Sequence, residues 1–280
     1  MPNPRVVVRP LRTPGEFQQC ERIQESVWGA RGISGELLLV TAKHGGLVLG
    51  AFAGGRLAGF LYAFLGRRQG RLIHWSHIMA VESEFRDRGL GFRMKREHRR
   101  LALAQGIRLI AWTFDPLQSR NAGLNIHRLG AEVREYLPDC YGSFRSKIES
   151  GLPSDRFVAE WRLTSRRVRE RLGGKPPAVA VAALPAANEI ERDARGFAVN
   201  RRLRLSLTAP RLLVEIPAET DRMRATDLEL ARRWRLEMRR VFRHYLRRGY
   251  RVTDFVSAQE GGLRRACYVL TRLAAGRSDG

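Results

Sequence analysis

The densest chemical signal in the chain lies between His74 and Phe92. There an apolar run carrying His74 and His77 passes through Arg86-x-x-Gly89-x-Gly91 directly into a helical period. Glycines at a strand-to-helix turn let the backbone approach a ligand closely, and the first turn of a helix presents unpaired N–H groups with a partial positive charge. The combination suits a pyrophosphate. Arg86 and Arg88 add charge and fork-shaped donors. On a regular strand two residues three apart point to opposite faces, so one histidine faces any cleft beside the strand, unless a bulge changes the phase. His77 is the favoured general base, with His74 as second candidate, and each also fits as a satisfied structural histidine. Glu82 and Glu84 read as solvated residues at the strand end.

A second polar constellation follows in Asp115-Pro-Leu-Gln-Ser-Arg-Asn-Ala-Gly-Leu-Asn-Ile-His-Arg-Leu-Gly130. With a helical period over Asn121–Leu129, Ala122, Ile126 and Leu129 share the buried face, and Asn121, Asn125 and Arg128 share the opposite one. Asp115 suits either a helix start or catalysis, with the helix start favoured. Other chemistries find no pattern: the chain has no His-x-x-x-His pair and no Gly-x-x-x-x-Gly-Lys loop. Cys20, Cys140 and Cys267 are odd in number and far apart, which excludes a disulfide scaffold or a cysteine-built zinc site and favours a reducing, cytoplasmic setting. No metal is expected.

These motifs need elements to hold them. A strand over residues 4–12 leads into Thr13-Pro14-Gly15-Glu16, a capping box that opens a helix towards Trp28, and a second helix spans Ile33–His44. Strands Leu47–Ala53 and Arg56–Leu65 meet at Gly54-Gly55, a two-residue hairpin signal, and Leu72–Val81 extends the sheet. A helix runs from Leu90 to Gln105, followed by a strand at Ile107–Phe114, the polar helix, and strands at Val133–Leu137 and Arg156–Leu163. Gly, Pro and Ala concentrate in 171–187, which sets a linker between a domain over 1–170 and a smaller one over 188–280. The second domain carries strands Leu203–Leu207 and Arg211–Ile216, then a helix opened by Thr226-Asp227-Leu228-Glu229, then strands Tyr250–Val256 and Arg265–Thr271. In that helix Trp234, Met238, Val241 and Tyr245 form a core stripe. The class is α/β (α+β).

With 280 residues, 51 Lys+Arg and 28 Asp+Glu, the chain carries a formal charge of +23, attractive to phosphates. Only Lys43, Lys95, Lys147 and Lys175 are lysines, so the excess is arginine spread through both halves, as codon bias would also give. No apolar stretch approaches a membrane span.

The order of elements, with the glycine loop between a strand and a helix, resembles the GCN5-related N-acetyltransferase superfamily over about residues 4–165. The run TFDPLQSRNAGLNIHRLGA looks like a two-domain branch of it. The resemblance implies a mostly antiparallel mixed sheet flanked by helices and an acyl-CoA co-substrate, acetyl-CoA or another. Arg86, Arg88, Gly89, Leu90, Gly91 and Phe92 would cradle its pyrophosphate, Met79, Ala80 and Val81 would pair with the pantetheine amides, and Asn121 and Asn125 would face the cofactor. Many members place a tyrosine, the acid for the departing thiolate, where this chain has Ile126; His127, Tyr136 and Tyr141 are the candidate substitutes.

The implied activity is N-acyl transfer, acetyl or succinyl, to an amine of a small molecule, acidic acceptors included, by direct attack in a ternary complex. The 188–280 domain, which lacks a Gly-x-Gly loop and hints at a degenerate second copy, would cap the acceptor or form a homodimer. The alternatives are a catalytically silent acyl-CoA sensor and a nucleic-acid binder. The latter would use Arg232, Arg233, Arg235, Arg239, Arg240, Arg243, Arg247 and Arg248 on a phosphate backbone. No membrane partner is expected.

Overall fold

A computed structural model describes residues 6–30, 32–142, 151–174, 179–260 and 263–272. The first residues of the expected opening strand and residues 175–178 of the expected linker lie outside the described residues. The chain divides into two compact units: residues 6–112 with 162–164, and the remaining described residues from 113 onward.

The first unit opens with β1 (Val6–Pro10), α1 (Pro14–Trp28), α2 (Gly35–Lys43), β2 (Leu47–Ala53), β3 (Arg56–Arg68) and β4 (Arg71–Val81). The capping box forms as its residues dictate: Glu16 N donates to the Thr13 hydroxyl, and Thr13 N donates to the Glu16 carboxylate. Gly54 and Gly55 take φ of 57° and 85°, the left-handed pair that a tight hairpin between β2 and β3 requires. β1 to β4 are antiparallel neighbours in sequence order. After β4 comes α3 (Leu90–Ala104), a crossover that returns β5 (Leu109–Phe114) parallel to β4. Both sheet faces are buried. Phe17, Cys20, Ile23 and Leu38 of α1 and α2 pack with Phe52, Phe60 and Tyr62, while Leu90 and Met94 of α3 pack with Leu49, Leu61 and Ala63. At about 1.5–3 kcal/mol for each large side chain, these two layers set the strand register on which the glycine loop rests.

The unit boundary falls within β5 after Trp112, not at the 171–187 linker expected from composition. The second unit contains α4 (Ser119–Ala122), continued by a π-helical segment Gly123–Arg128. β6 (Glu132–Leu137), β7 (Arg156–Arg162) and α5 (Arg166–Leu172) follow. Beyond them lie β8 (Asn188–Arg192), β9 (Ala198–Leu203), β10 (Arg211–Ile216), α6 (Thr220–Thr226), α7 (Leu228–Arg247), β11 (Tyr250–Glu260) and β12 (Leu263–Arg272). Its strands run β7-β6-β11-β12-β10, and β8 with β9 form a separate hairpin. Because β6 pairs with β11, residues 113–142 and 151–161 cluster with the C-terminal strands, and composition carries no sign of that pairing.

Three local expectations shift. Of the strand expected at Leu203–Leu207 only Leu203 lies in a strand, as the last residue of β9, whose hairpin with β8 was not expected, and residues 204–207 lie in none. Thr226 ends α6, with its hydroxyl on Arg222 O at 2.9 Å, and Asp227 alone caps α7 by accepting from Leu230 N. The strands flanking α7, β10 and β11, are each paired with β12, unlike the adjacent parallel strands that flank α3. The expected core stripe forms, with Trp234, Met238, Val241 and Tyr245 fully buried.

Candidate functional site

The strand leading to the glycine loop is bulged. Ala63 pairs with Ser76 and Tyr62 with Ile78, so His77 has no residue opposite it. The extra residue puts His77 and Ile78 on the face shared with Tyr62 and Phe64, while His74 and Ser76 stay on the α3 face; the two histidines therefore point to opposite faces. The His77 ring is exposed and lies edge-on to Tyr62 at 6.2 Å and tilted to Phe64 at 6.0 Å between centroids. Partial burial against those rings lowers its pKa, which leaves a neutral ring at pH 7 with a lone pair available for a proton. His74 is fully buried, its Nδ1 3.0 Å from His98 Nε2, and burial lowers its pKa too.

Beyond the bulge the strand has a free edge. Among the described residues β4 pairs with β5 only at His74 with Ile110 and Trp75 with Ala111, and β4 continues to Val81. Met79, Ala80 and Val81 thus lie on a stretch whose backbone on that side is not taken by β5. The chain then turns through Ser83–Phe85 and Asp87, with φ of 61°, into Gly89, with φ of 74°, at the start of α3. Gly89 needs that left-handed conformation, and a Cβ there would meet nothing within 4 Å, so the space over the turn is open. No side chain caps α3 and no acidic residue lies in its first turn. Arg88 lies over the Phe85 ring at 5.4 Å, and Arg86 Nε donates to Val81 O at 3.2 Å, bracing the turn on which Leu90, Gly91 and Phe92 begin the helix. Glu82 and Glu84 are not simply solvated: both pair with Arg56.

The remaining expected residues belong to the second unit, and its geometry changes their reading. The π-helical segment alters the phase of the polar face: Asn121 and Arg128 are exposed, whereas Asn125 is buried and does not share their stripe. His127 Nδ1 lies 3.3 Å from Asp254 and 3.2 Å from Arg171, within an ion-paired cluster. Tyr136 is buried and donates to Asp155 at 2.5 Å; burial, then the neighbouring carboxylate, push its pKa far above the ordinary phenol value. That bond makes it a strut, ill suited to give up a proton at neutral pH. Tyr141 is half-exposed, with its hydroxyl 2.7 Å from that of Thr113. Asp115 does not start a helix as expected, since α4 begins at Ser119 behind Gln118; it accepts from Leu117 N at 2.8 Å in a turn and holds Arg235 through two bonds at 2.5 and 2.6 Å.

Several arginines proposed to track a phosphate backbone are committed internally. Arg235 is buried on Asp115, Arg239 binds both oxygens of Asp155, and Arg233 pairs with Glu237. Cys20 is buried and burial pushes its thiol up to about 12, which removes it as a nucleophile.

Sequence reasoning missed Lys95, now seen buried with its Nζ 3.0 Å from Ser76 Oγ and 3.6 Å from the centre of the Trp112 ring. Its signal was present: Lys95, His98 and Ala102 recur at i, i+3 and i+7, beside Leu90 and Met94 on the face that packs on the sheet.

No protein-family model matches the chain, and no curated protein matches it. Solved structures resemble part of it. An acetyltransferase of the GNAT family from Streptococcus pneumoniae is 16% identical with a TM-score of 0.45, covering 56% of this chain and 98% of its own. The NatC complex bound to Gag peptide and CoA matches at 14% identity and a TM-score of 0.47, over 57% of this chain and 99% of its own. The ribosomal-protein-S18-alanine N-acetyltransferase from Escherichia coli gives 13% and 0.45, over 57% and 96%. The bulged β4, the open loop at Gly89 and the uncapped start of α3 form one continuous stretch of the first unit.

Proposed function

We propose that the protein is an acyl-CoA-dependent N-acyltransferase acting on a small amine. The observation that supports this best is the continuity of the β4 stretch Ser76–Val81, which β5 does not pair, with the left-handed Gly89 and the uncapped α3. In this reading the α3 amides, with Arg86 and Arg88, hold the pyrophosphate, and the edge amides and carbonyls of Met79–Val81 bond the pantetheine arm. In the same reading His77, at the bulge, stands at the acyl end. There a neutral imidazole takes the proton from the attacking ammonium, directly or through water, so that the nitrogen lone pair can attack the thioester carbonyl. The C–N bond forms, the C–S bond breaks, and the thiolate leaves as coenzyme A. No cysteine takes part.

The chain's overall excess of arginine favours an anionic coenzyme and an acceptor with a carboxylate. The acyl group is acetyl or succinyl, the chain acts in the cytoplasm, and the C-terminal part caps the acceptor or forms a dimer. The test is consumption of acetyl-CoA and succinyl-CoA with a panel of amines, repeated for His77→Gln. The reading expects turnover that falls by about 10²–10⁴ in the variant and loses its pH dependence near the histidine range. Failure of every amine with both thioesters would reject it, and coenzyme binding without turnover would leave the sensor.

A further inference from the structure

A cavity of about 300 Å³ lies on the His77 face of the β3–β4 hairpin, lined by Phe64, Gly66, Arg67, Arg68, Ile73 and Trp75. Cross-strand pairing builds it: Phe64 stands opposite Trp75 and Gly66 opposite Ile73, so an aromatic pair forms one end and a missing side chain opens the other. A Cβ at Gly66 would meet only Ile73 Cγ1, at 3.8 Å, and its backbone is not left-handed; the glycine leaves space that a larger side chain would fill. Phe64 joins this cavity to the proposed site, since its ring lies 6.0 Å from that of His77. Arg67, next to Gly66 and opposite Leu72 in the register, starts from the other face and borders the cavity only at its exposed edge, where a guanidinium suits a carboxylate. An apolar floor with one or two convergent polar groups is the usual composition of a small-molecule pocket, and the volume suits one amino-acid-sized body.

We infer that this cavity is the acceptor's pocket and that the acceptor is an aromatic or branched aliphatic amino acid, its side chain between Phe64, Ile73 and Trp75 and its carboxylate on Arg67. The inference rests on the transferase reading for the word acceptor, and the pocket's preference for an apolar carboxylate can be measured without that reading. Calorimetric titration of the full chain with 3-phenylpropanoate and with 3-phenylpropanamide tests it, alongside Gly66→Leu and Arg67→Gln.

The expected result is carboxylate binding at least tenfold tighter than amide binding, weakened tenfold or more in each variant. Arg67→Gln should leave the amide unchanged. Equal affinity for acid and amide, or full binding by Gly66→Leu, would overturn the inference. Coenzyme A titrated into the same samples separates the two claims. If coenzyme A binds and the carboxylate does not, the pocket fails alone; if the carboxylate binds and coenzyme A does not, the transferase reading fails and the pocket stands. With turnover established, the KM for phenylalanine should rise tenfold or more in Arg67→Gln while kcat is held.

Discussion

The two units bury cations in opposite ways. In the second, Arg235 and Arg171 enter the interior only against a carboxylate: Asp115 grips the first through both oxygens, and Asp254 binds the second. In the first, Lys95 is equally buried but meets a hydroxyl, an indole face and, on the same helix, His98, with no carboxylate bonded to it among the described residues. A buried charge without a counter-charge neutralises itself when it can, and lysine can where arginine cannot. Burial accordingly lowers the Lys95 pKa to about 7 and holds His98 well below the ordinary histidine value, while Asp115, which burial alone would raise, is lowered by its pair with Arg235. The second unit is cross-braced by fixed charge; the first carries a titratable pocket beneath the strand that leads to the glycine loop.

The contrast can be broken most forcefully at Asp115. Asp115→Asn keeps the acceptor for Leu117 N and removes the charge opposite Arg235, so urea unfolding should show a loss of about 3–5 kcal/mol. A loss below about 1 kcal/mol would mean that the pair contributes little beyond its hydrogen bonds. Replacing both partners with apolar residues, as in Asp115→Leu with Arg235→Met, should restore most of that loss.

Lys95 gives the next effect, and its sign follows from proton counting. Between pH 7 and about 10 the unfolded chain keeps the lysine proton that the folded chain has lost, so stability contributed by this group rises with pH. The rise is on the order of 3 kcal/mol across that range. Lys95→Met, close in volume and uncharged, should lack this rise and be at least as stable as the parent at pH 7. The difference between the two pH profiles of urea unfolding isolates the lysine from other titrating groups. Parallel profiles would show that Lys95 stays charged in the folded state.

Smaller effects compare the local devices that start helices in each unit. Thr13→Ala and Asp227→Ala should each cost about 1 kcal/mol by the same measurement, since each removes one side-chain acceptor from a first-turn amide. A much larger loss at Thr13 would mean that its reciprocal bond with Glu16 does more than cap α1.

What the sequence discloses is mostly what lies within a few residues. The Thr13–Glu16 box, the Gly54-Gly55 turn, the left-handed Gly89 and the Trp234–Tyr245 stripe are local or periodic, and each forms where its pattern stands. The pair between Asp115 and Arg235 joins residues 120 apart, and no spacing rule reaches it. The π-helical segment was hidden for another reason: the residues of Asn121–Leu129 fit a 3.6 period as well as a wider one, and only the buried Asn125 reveals which was adopted. The unit boundary was hidden because composition marks where a chain is loose, while compactness depends on which strands pair. For the candidate site, the Gly89 loop and the opposite facing of His74 and His77 could be read from the sequence; the bulge, Lys95, Ser76 and the cavity at Gly66 needed the folded strand register.

The most direct test of the account is calorimetric titration with coenzyme A of the parent and of Gly89→Glu, beside a DNA duplex control. The variant places a carboxylate in the open space over the loop and a side chain in a left-handed position. Its fold is checked by thermal midpoint, since a non-glycine residue there costs about 1–2 kcal/mol. The account predicts saturable coenzyme A binding by the parent, matched by about 2.7 kcal/mol of added stability at 100 times the dissociation constant, with both lost in the folded variant. Coenzyme A failing to bind the parent, or binding parent and variant alike while the duplex binds tightly and in a salt-dependent way, would contradict it.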